Sequence, residues 1–248
     1  MTLLQAALLG LIQGVTEFLP VSSSGHLVIF QKLLGFTKPP VSFDILLHTA
    51  TLLDIVFFFR KEIRQAGKSL ILAIAAATVP TGLIGLALNT KKDFLFNSLP
   101  LVSLALLGTT FFLFSTLKLR KANKPSTQNI TLKTALTVGM AQGLAVLPGL
   151  SRSGATIVTG LWMGLERDQA VQFAFLIAIP AIFGAQLLEL SHLSSLGELV
   201  NFPSLVGFLT AVISGWISLA LVKQVVYSAK LHLFALYTFV LSLLILFA

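Results

Sequence analysis

The stretch Leu19–His26, with the sequence LPVSSSGH, interrupts an apolar segment that extends from about residue 2 to residue 35. A second stretch, Leu147–Gly154 with the sequence LPGLSRSG, interrupts another apolar segment at about 132–165. Each half-segment would reach roughly 15–24 Å as a helix, whereas the hydrocarbon core of a bilayer is about 30 Å thick. Proline, glycine and clustered hydroxyls favour a break in each helix. The two segments are therefore predicted to form re-entrant helical hairpins whose tips lie near the middle of a membrane.

The two interrupted segments also resemble each other. The first contains Gln13-Gly14, Leu19-Pro20 and Ser22-x-Ser24-Gly25, which recur in the second as Gln142-Gly143, Leu147-Pro148 and Ser151-x-Ser153-Gly154. The matching elements are 129, 128 and 129 positions apart, and this conserved order and spacing indicate an internal repeat. We predict a single membrane domain over residues 1–248, with repeats at approximately 1–120 and 130–248.

The chain as a whole has the composition of an integral membrane protein. Hydrophobic residues make up 56% of the 248 and charged residues 10%, with a mean hydropathy of +0.93, whereas soluble domains carry roughly 25% charged residues. This balance excludes a soluble enzyme, and the absence of cysteine excludes disulfide and thiolate chemistry. Six further stretches are long enough to cross a bilayer, namely 41–59, 69–89, 99–117, 168–190, 203–222 and 230–248. The predicted fold is all-α, with six transmembrane helices and two re-entrant hairpins in an inverted-topology repeat.

The charge distribution predicts how the chain is oriented. Its net charge of +8 would suggest nucleic-acid binding in a soluble protein. Here the basic residues cluster in the loops after the first, third and fifth spans, which lie on one side if the spans alternate. The positive-inside rule assigns that side to the cytoplasm, so we expect no nucleic-acid partner. The two hairpins then enter from opposite sides, and their tips can meet at the midplane, as in transporters with paired broken helices.

Two ionisable residues lie near the predicted tips, where a charge is costly and usually functional. Glu17 ends the first half-helix, with Gln13 one turn earlier on the same face. Arg152 lies in the second tip, and its guanidinium fork matches a phosphate group. An ion pair between Arg152 and Glu17 is the alternative interpretation, and both can hold when the site is empty.

Hydroxyl and glycine residues begin the second half-helix of each hairpin, where free N–H groups and the helix dipole favour an anion. They are Ser22, Ser23, Ser24 and Gly25 in the first hairpin and Ser151, Ser153 and Gly154 in the second. Serines at these positions can also simply cap the helix, but three serines followed by His26 exceed that need. The two tips together predict a phosphate-binding site with acid–base groups able to break a bond.

Three other ionisable residues are weaker candidates. Asp44 and His48, one helical turn apart, either line the outer mouth of the site or cap the first span. Asp54 lies in the middle of that span and must pair or face a cavity, although the sequence does not name its partner. Apart from these three, His192 and His232 are predicted to lie at the membrane interface.

The residues that form these patterns resemble the bacterial undecaprenyl-diphosphate phosphatase family, of the bacitracin-resistance type. Gln13–His26 is similar to the family's first signature and Pro148–Ile157 to its second. Further similar segments are Phe43-Asp44 with His48, and Gln172–Ala181. The resemblance covers essentially the whole chain.

The resemblance implies an inner-membrane enzyme, open to the periplasm, that removes the terminal phosphate of undecaprenyl diphosphate and recycles the lipid carrier for peptidoglycan synthesis. It implies catalytic roles for Glu17, Ser23, His26 and Arg152, with a phosphate-binding shell of Gln13, Ser22, Ser24, Gly25, Ser151, Ser153 and Gly154. It also implies a divalent cation, Mg²⁺ or Ca²⁺, at Glu17. Many members carry a second glutamate where this chain has Gln13. The expected partners are the polyprenyl diphosphate substrate and membrane lipids, and a homodimer is a candidate assembly.

Two questions stay open at this point. The first is the identity of the nucleophile, for which there are three candidates: Ser23 with His26 as base, His26 itself, or a water activated by His26 and Glu17. The rival function is a transporter or flippase for polyprenyl-phosphate lipids, because inverted repeats with broken helices are typical of transporters.

Overall fold

The structure, a computed structural model, describes residues 1–36, 40–119, 130–191 and 201–247. In this part of the chain there are twelve helices and no strand. The first repeat region contains α1 (Leu3–Phe18), α2 (Ser23–Leu33), α3 (Val41–Phe58), α4 (Arg60–Arg64), α5 (Lys68–Asn89), α6 (Lys92–Asn97) and α7 (Leu99–Leu119). The second contains α8 (Leu132–Leu144), α9 (Arg152–Trp162), α10 (Arg167–Leu190), α11 (Phe202–Tyr227) and α12 (Leu233–Leu246). The prediction of an all-α membrane protein is confirmed.

Both interrupted segments break where the sequence predicts. The helix α1 ends at Phe18 and α2 begins at Ser23, while α8 ends at Leu144 and α9 begins at Arg152. These half-helices have 16, 11, 13 and 11 residues, so each covers at most about 24 Å at about 1.5 Å per residue. None is long enough to cross a bilayer core of about 30 Å.

Five of the six predicted spans are present as long apolar helices. The helices α3, α5, α7, α10 and α11 have 18 to 26 residues and are apolar enough to cross a membrane. The chain is therefore a multi-pass membrane protein. The helix α11 continues to Tyr227, beyond the predicted end at residue 222.

The sixth prediction, a span over 230–248, is wrong at its start and too long. The helix α12 begins at Leu233 and has 14 residues. It follows a turn that includes Ala229, which has a left-handed φ of 54° just after the end of α11. At this length, α12 covers about 21 Å. Ala248, the end of the predicted span, lies outside the described residues, as do His192 and the loop cations Arg120, Lys121 and Lys124.

Each hairpin packs along a span of the other half. The helix α1 lies along α11, where a Cβ at Gly10 would be 2.3 Å from the carbonyl oxygen of Gly207. The helix α8 lies along α5, where a Cβ at Gly139 would be 2.2 Å from the carbonyl oxygen of Ala77. Gly10 and Gly139 are 129 positions apart, the spacing of the repeated motifs. Each half therefore packs its hairpin against a span of the other half in the same way, as expected for an internal repeat. The boundaries of the repeats stay a prediction.

The spans α3 and α10 pack against each other, and α3 also contacts α1 while α10 also contacts α9. A buried cluster that includes Phe18, Phe59, Phe175 and Ile157 joins α1, α3, α9 and α10 there. The ring of Phe18 meets that of Phe175 edge to face, with centroids 5.6 Å apart. Since Phe18 follows Glu17 in the chain, this packing fixes where the first half-helix ends and therefore where the acidic side chain lies.

Candidate active site

The two hairpin tips are in direct contact. The N–H of Gly149 in the second tip donates to Ser22 Oγ in the first, at 3.1 Å. In return, Ser153 Oγ donates to the carbonyl oxygen of Leu19, at 3.1 Å. A Cβ at Gly25 would lie 3.3 Å from Gly149 Cα, so glycine allows the two backbones to approach closely.

Ser22 and Ser151 cap the two half-helices that begin at the tips. Ser22 Oγ accepts from the N–H of Gly25, and Ser151 Oγ accepts from the N–H of Gly154. Ser22 has φ 71°, a left-handed conformation that costs an L-residue about 1–2 kcal/mol. Its bonds to both tips offset that cost. Both serines therefore cap their half-helices, while the N–H groups of Ser23 and Arg152, in the first turn of each helix, have no partner within the helix.

Glu17 is the centre of a polar cluster that both hairpins build. Its residue is 8% exposed. Its Oε2 accepts from Gln13 Nε2 at 3.0 Å and from Ser23 Oγ at 2.5 Å. Its Oε1 lies 3.4 Å from Arg152 Nη1. The ion pair that was the alternative interpretation of Arg152 is therefore present, and the structure brings these four candidate residues together.

Arg152 is more exposed than Glu17, its partner in the ion pair. Its side chain is 29% exposed, whereas that of Glu17 is 4% exposed. A small cleft adjoins the pair and is lined by Glu17, Phe18, Ile55, Arg152, Ser153, Thr156, Ala174, Phe175 and Ala178. Because α2 and α9 both begin here, their free N–H groups and the guanidinium create a positive site suited to an anion.

The remaining predicted serines complete the two helix starts. Ser24 Oγ lies 3.4 Å from Ser22 Oγ, and Ser153 Oγ lies 3.2 Å from Ser151 Oγ. Ser24 is partly exposed, while Ser151 and Ser153 are buried.

The hydrogen bonds of His26 do not involve Glu17. Its Nδ1 is 2.7 Å from the carbonyl oxygen of Ser22, and its Nε2 is 2.6 Å from the hydroxyl of Tyr237 on α12. The two rings also stack, with centroids 5.7 Å apart. A pairing of Ser23 with His26 as its base is therefore not the arrangement in this structure, since the Ser23 hydroxyl donates to Glu17 instead.

His48 lies closer to the cluster than the sequence predicted. Its Nδ1 is 2.8 Å from the carbonyl oxygen of Asp44, which directs its Nε2 to within 4.0 Å of Glu17 Oε2. Its side chain is 25% exposed, in keeping with a place at the mouth of the site. Asp44 instead accepts from Gln31 Nε2 at 2.7 Å. Of the two interpretations, lining the site fits His48 better than capping α3.

Asp54 lies apart from these residues. It is 2% exposed, and its Oδ2 has no hydrogen-bond partner among the described residues. A Cβ at Gly215 would lie 2.2 Å from that oxygen, so the carboxyl group occupies space left by a glycine on α11.

Thr109 on α7 holds the second tip, and the sequence did not single it out. Its hydroxyl accepts from the N–H of Ser151 at 2.8 Å and donates to the carbonyl oxygen of Gly149 at 2.8 Å. A threonine within a long apolar span usually bonds its own helix, so the sequence carried no signal for this role. Tyr237 was missed for a similar reason, since it lies in an apolar segment near the end of the chain.

The protein oxygens at the site fit a divalent cation only in part. Among the described residues, no three acidic, histidine or cysteine side chains converge on one point. Glu17 supplies a carboxylate, and Gln13 Oε1, one turn away, is buried without a hydrogen-bond partner. Mg²⁺ is commonly held by one or two carboxylates together with substrate phosphates. This donor set therefore fits a cation shared with a bound phosphate group rather than a closed protein site.

Comparison with known proteins agrees with this geometry. A family model described as "Bacitracin resistance protein BacA" matches residues 6–244. The chain is 42% identical to the undecaprenyl-diphosphatase of Desulfosudis oleivorans, with 96% of each chain covered. It is 37% identical to the undecaprenyl-diphosphatase of Halothermothrix orenii, over 99% of this chain and 97% of that protein. A third undecaprenyl-diphosphatase, from Carboxydothermus hydrogenoformans, is 41% identical over 98% and 95% of the two chains. The chain therefore belongs to the BacA family.

Proposed function

We propose that this protein hydrolyses undecaprenyl diphosphate to undecaprenyl phosphate and inorganic phosphate. The contact that supports this most strongly is the Ser23–Glu17–Arg152 arrangement, in which a hydroxyl, a carboxylate and a guanidinium from two hairpins meet. The names of the similar proteins favour hydrolysis over transport of the lipid. The reaction would recycle the lipid carrier used in cell-wall synthesis.

In the proposed reaction, Glu17 accepts a proton from the attacking hydroxyl. The nucleophile is Ser23 Oγ or a water that takes its place, since either can donate to Glu17 Oε2. It forms a bond to the terminal phosphorus while the bond from that phosphorus to the bridging oxygen breaks. The bridging oxygen leaves with undecaprenyl phosphate. If Ser23 attacks, a water then releases the phosphate from the serine, so one water is consumed in either case.

Arg152 and the two helix starts would stabilise the charge that moves during phosphoryl transfer. Such catalysis depends mainly on positioning and electrostatics. Ser22, Ser24, Gly25, Ser151, Ser153 and Gly154 are proposed to hold the phosphate oxygens, directly or through the N–H groups at the helix starts. His26 is one turn after Ser23 on the same helix. Because both of its ring nitrogens are bonded, to the Ser22 carbonyl oxygen and to the Tyr237 hydroxyl, it is proposed to fix the start of α2, where Ser23 meets Glu17. Gln13 orients Glu17 through its amide.

A divalent cation, Mg²⁺ or Ca²⁺, held by Glu17 and the diphosphate oxygens, would supply additional charge neutralisation. The buried oxygen of Gln13 offers a second protein ligand on the same helix face.

The proposed location is the bacterial inner membrane, with the site open to the periplasm. The cations Arg60, Lys61, Arg64 and Lys68 after α3 support this orientation, and a homodimer stays a prediction.

Phosphate release by purified protein tests the proposal against transport. We expect detergent-solubilised protein, with no ion gradient, to release one inorganic phosphate for each undecaprenyl diphosphate that it converts to undecaprenyl phosphate. We also expect a chelator to lower the rate. A carrier would leave the diphosphate intact, and that result would contradict the proposal.

A further inference from the structure

Both ring nitrogens of His26 are occupied in the structure. Nδ1 is 2.7 Å from the carbonyl oxygen of Ser22, and a carbonyl oxygen can only accept. Nδ1 therefore carries the hydrogen, and Nε2 of the neutral ring has a lone pair. The Tyr237 hydroxyl, 2.6 Å away, is placed to donate to that lone pair. The two contacts select one tautomer of the imidazole.

The ring of Tyr237 restricts His26 as well. It stacks on the imidazole with an interplanar angle of 11° and centroids 5.7 Å apart. His26 is 3% exposed, whereas Tyr237 is 48% exposed. Tyr237 therefore covers the imidazole on the side of α12, and its hydroxyl and its ring both constrain how the histidine can turn.

Tyr237 is itself held by a polar contact between α12 and α7. Thr238, the next residue, shares a hydrogen bond of 2.8 Å with Thr110. One turn further on, Ser242 and Ser103 each donate to the carbonyl oxygen of the other, at 3.0 and 2.8 Å. Hydroxyl bonds between helices within the membrane hold their relative positions, so the tyrosine hydroxyl is presented from a fixed support.

We propose that Tyr237 is a positioning residue that acts through His26. Its hydroxyl holds the imidazole whose Nδ1–H bonds the Ser22 carbonyl oxygen, and it thereby fixes the start of α2, where Ser23 donates to Glu17. The proposal rests on the proposed function and adds a residue from the far end of the chain to its site. Tyr237 acts only through His26 and makes no contact with the substrate. Removing its hydroxyl should therefore lower kcat more than it raises KM.

The substitution Tyr237→Phe tests this role because it keeps the stacked ring and removes only the hydroxyl. A hydrogen bond between neutral groups is worth about 0.5–1.5 kcal/mol, so we expect kcat for undecaprenyl diphosphate to fall by up to about tenfold. KM should change by less than about twofold. Tyr227→Phe is the matched control, since it removes the hydroxyl of the other tyrosine in the chain, which bonds Asp168 at the end of α11.

A double substitution separates positioning of His26 from a general structural effect. In a His26→Gln background, Tyr237→Phe should cause no further loss of activity, because the residue that it positions is absent. An equal loss in both backgrounds would overturn the proposal, as would wild-type kcat in Tyr237→Phe.

Nitrogen-15 NMR of the histidine side chains provides a readout that does not depend on activity. The signals of His26 are identified by their loss in His26→Gln. We expect Tyr237→Phe to shift the Nε2 signal of His26, whereas Tyr227→Phe should leave it in place. Identical spectra for wild type and Tyr237→Phe would overturn the proposal even if no residual activity can be measured in His26→Gln. If wild type releases no phosphate, the proposed function fails, and the shift still tests the contact of Tyr237 with His26.

Discussion

Replacing Arg152 with alanine is expected to lower kcat/KM for undecaprenyl diphosphate by at least about 100-fold, which corresponds to about 3 kcal/mol of transition-state stabilisation. Arg152 is the partly exposed cation at the start of α9, and its Nη1 lies 3.4 Å from Glu17. It therefore faces the space where the phosphate is proposed to bind. Without it, the helix starts alone would oppose the charge that moves during the transfer. Phosphate release by detergent-purified variants measures the effect.

Two further variants show what the guanidinium contributes. Arg152→Lys keeps the charge but loses the planar fork that binds two phosphate oxygens, so it should recover only part of the activity. Arg60→Ala is the matched control, because Arg60 is exposed at the start of α4 and bonds the carbonyl oxygen of Phe57. It should retain wild-type activity. If Arg152→Ala elutes as a folded protein in size-exclusion chromatography and hydrolyses the substrate at the wild-type rate, the assignment of the site is wrong.

Replacing Glu17 with glutamine is expected to lower kcat by about 10²–10⁴-fold, the usual contribution of a general base. The amide keeps the size of the side chain but cannot take the proton that Ser23 now donates to Oε2. It also removes the carboxylate proposed to hold a divalent cation. Substrate binding by Arg152 and the helix starts should persist, so KM should change less than kcat. Single-turnover phosphate release separates these two parameters.

Glu62→Gln is the matched control for this substitution. Glu62 lies in the short helix α4, away from the hairpin tips, and its replacement should leave kcat unchanged. Wild-type turnover by the Glu17 variant would show that another group accepts the proton, and His48, with Nε2 4.0 Å from Glu17, would then be the next candidate to examine.

The hairpins and their contact could be predicted because the signals are local and repeated. Proline and clustered serines mark both breaks, and their common spacing indicates that the two segments are equivalent. An acid near one tip and an arginine at the other each need a partner in the membrane, and an ion pair between them was the alternative to a bound phosphate. The structure has that pair at 3.4 Å.

The partners of His26 and the second tip could not be predicted, because they depend on contacts between distant helices. Tyr237 is 211 positions from His26, and nothing in its local sequence distinguishes it from an interfacial tyrosine, which membrane proteins commonly have. Thr109 resembles the many threonines that bond their own helix. Ser22 has a left-handed backbone, which sequence patterns assign to glycine rather than to serine.

The length of α12 shows a different limit. Apolar composition continues from the end of α11 almost to the end of the chain, so hydropathy predicts a full span over 230–248. The structure instead has a turn that includes Ala229, followed by a helix of 14 residues that begins at Leu233. Composition alone does not report where such a turn lies.

Measuring phosphate release by wild type, Glu17→Gln, Arg152→Ala and the double variant tests the central claim most directly, namely that two hairpins from opposite halves of the chain form one catalytic centre. Residues that act as a unit are strongly non-additive. We therefore predict that the activity of the double variant is no more than a few-fold below that of the less active single variant. If its loss equals the product of the two single losses, on the order of 10⁴–10⁶-fold, the two residues act independently and the claim of a single shared centre is contradicted.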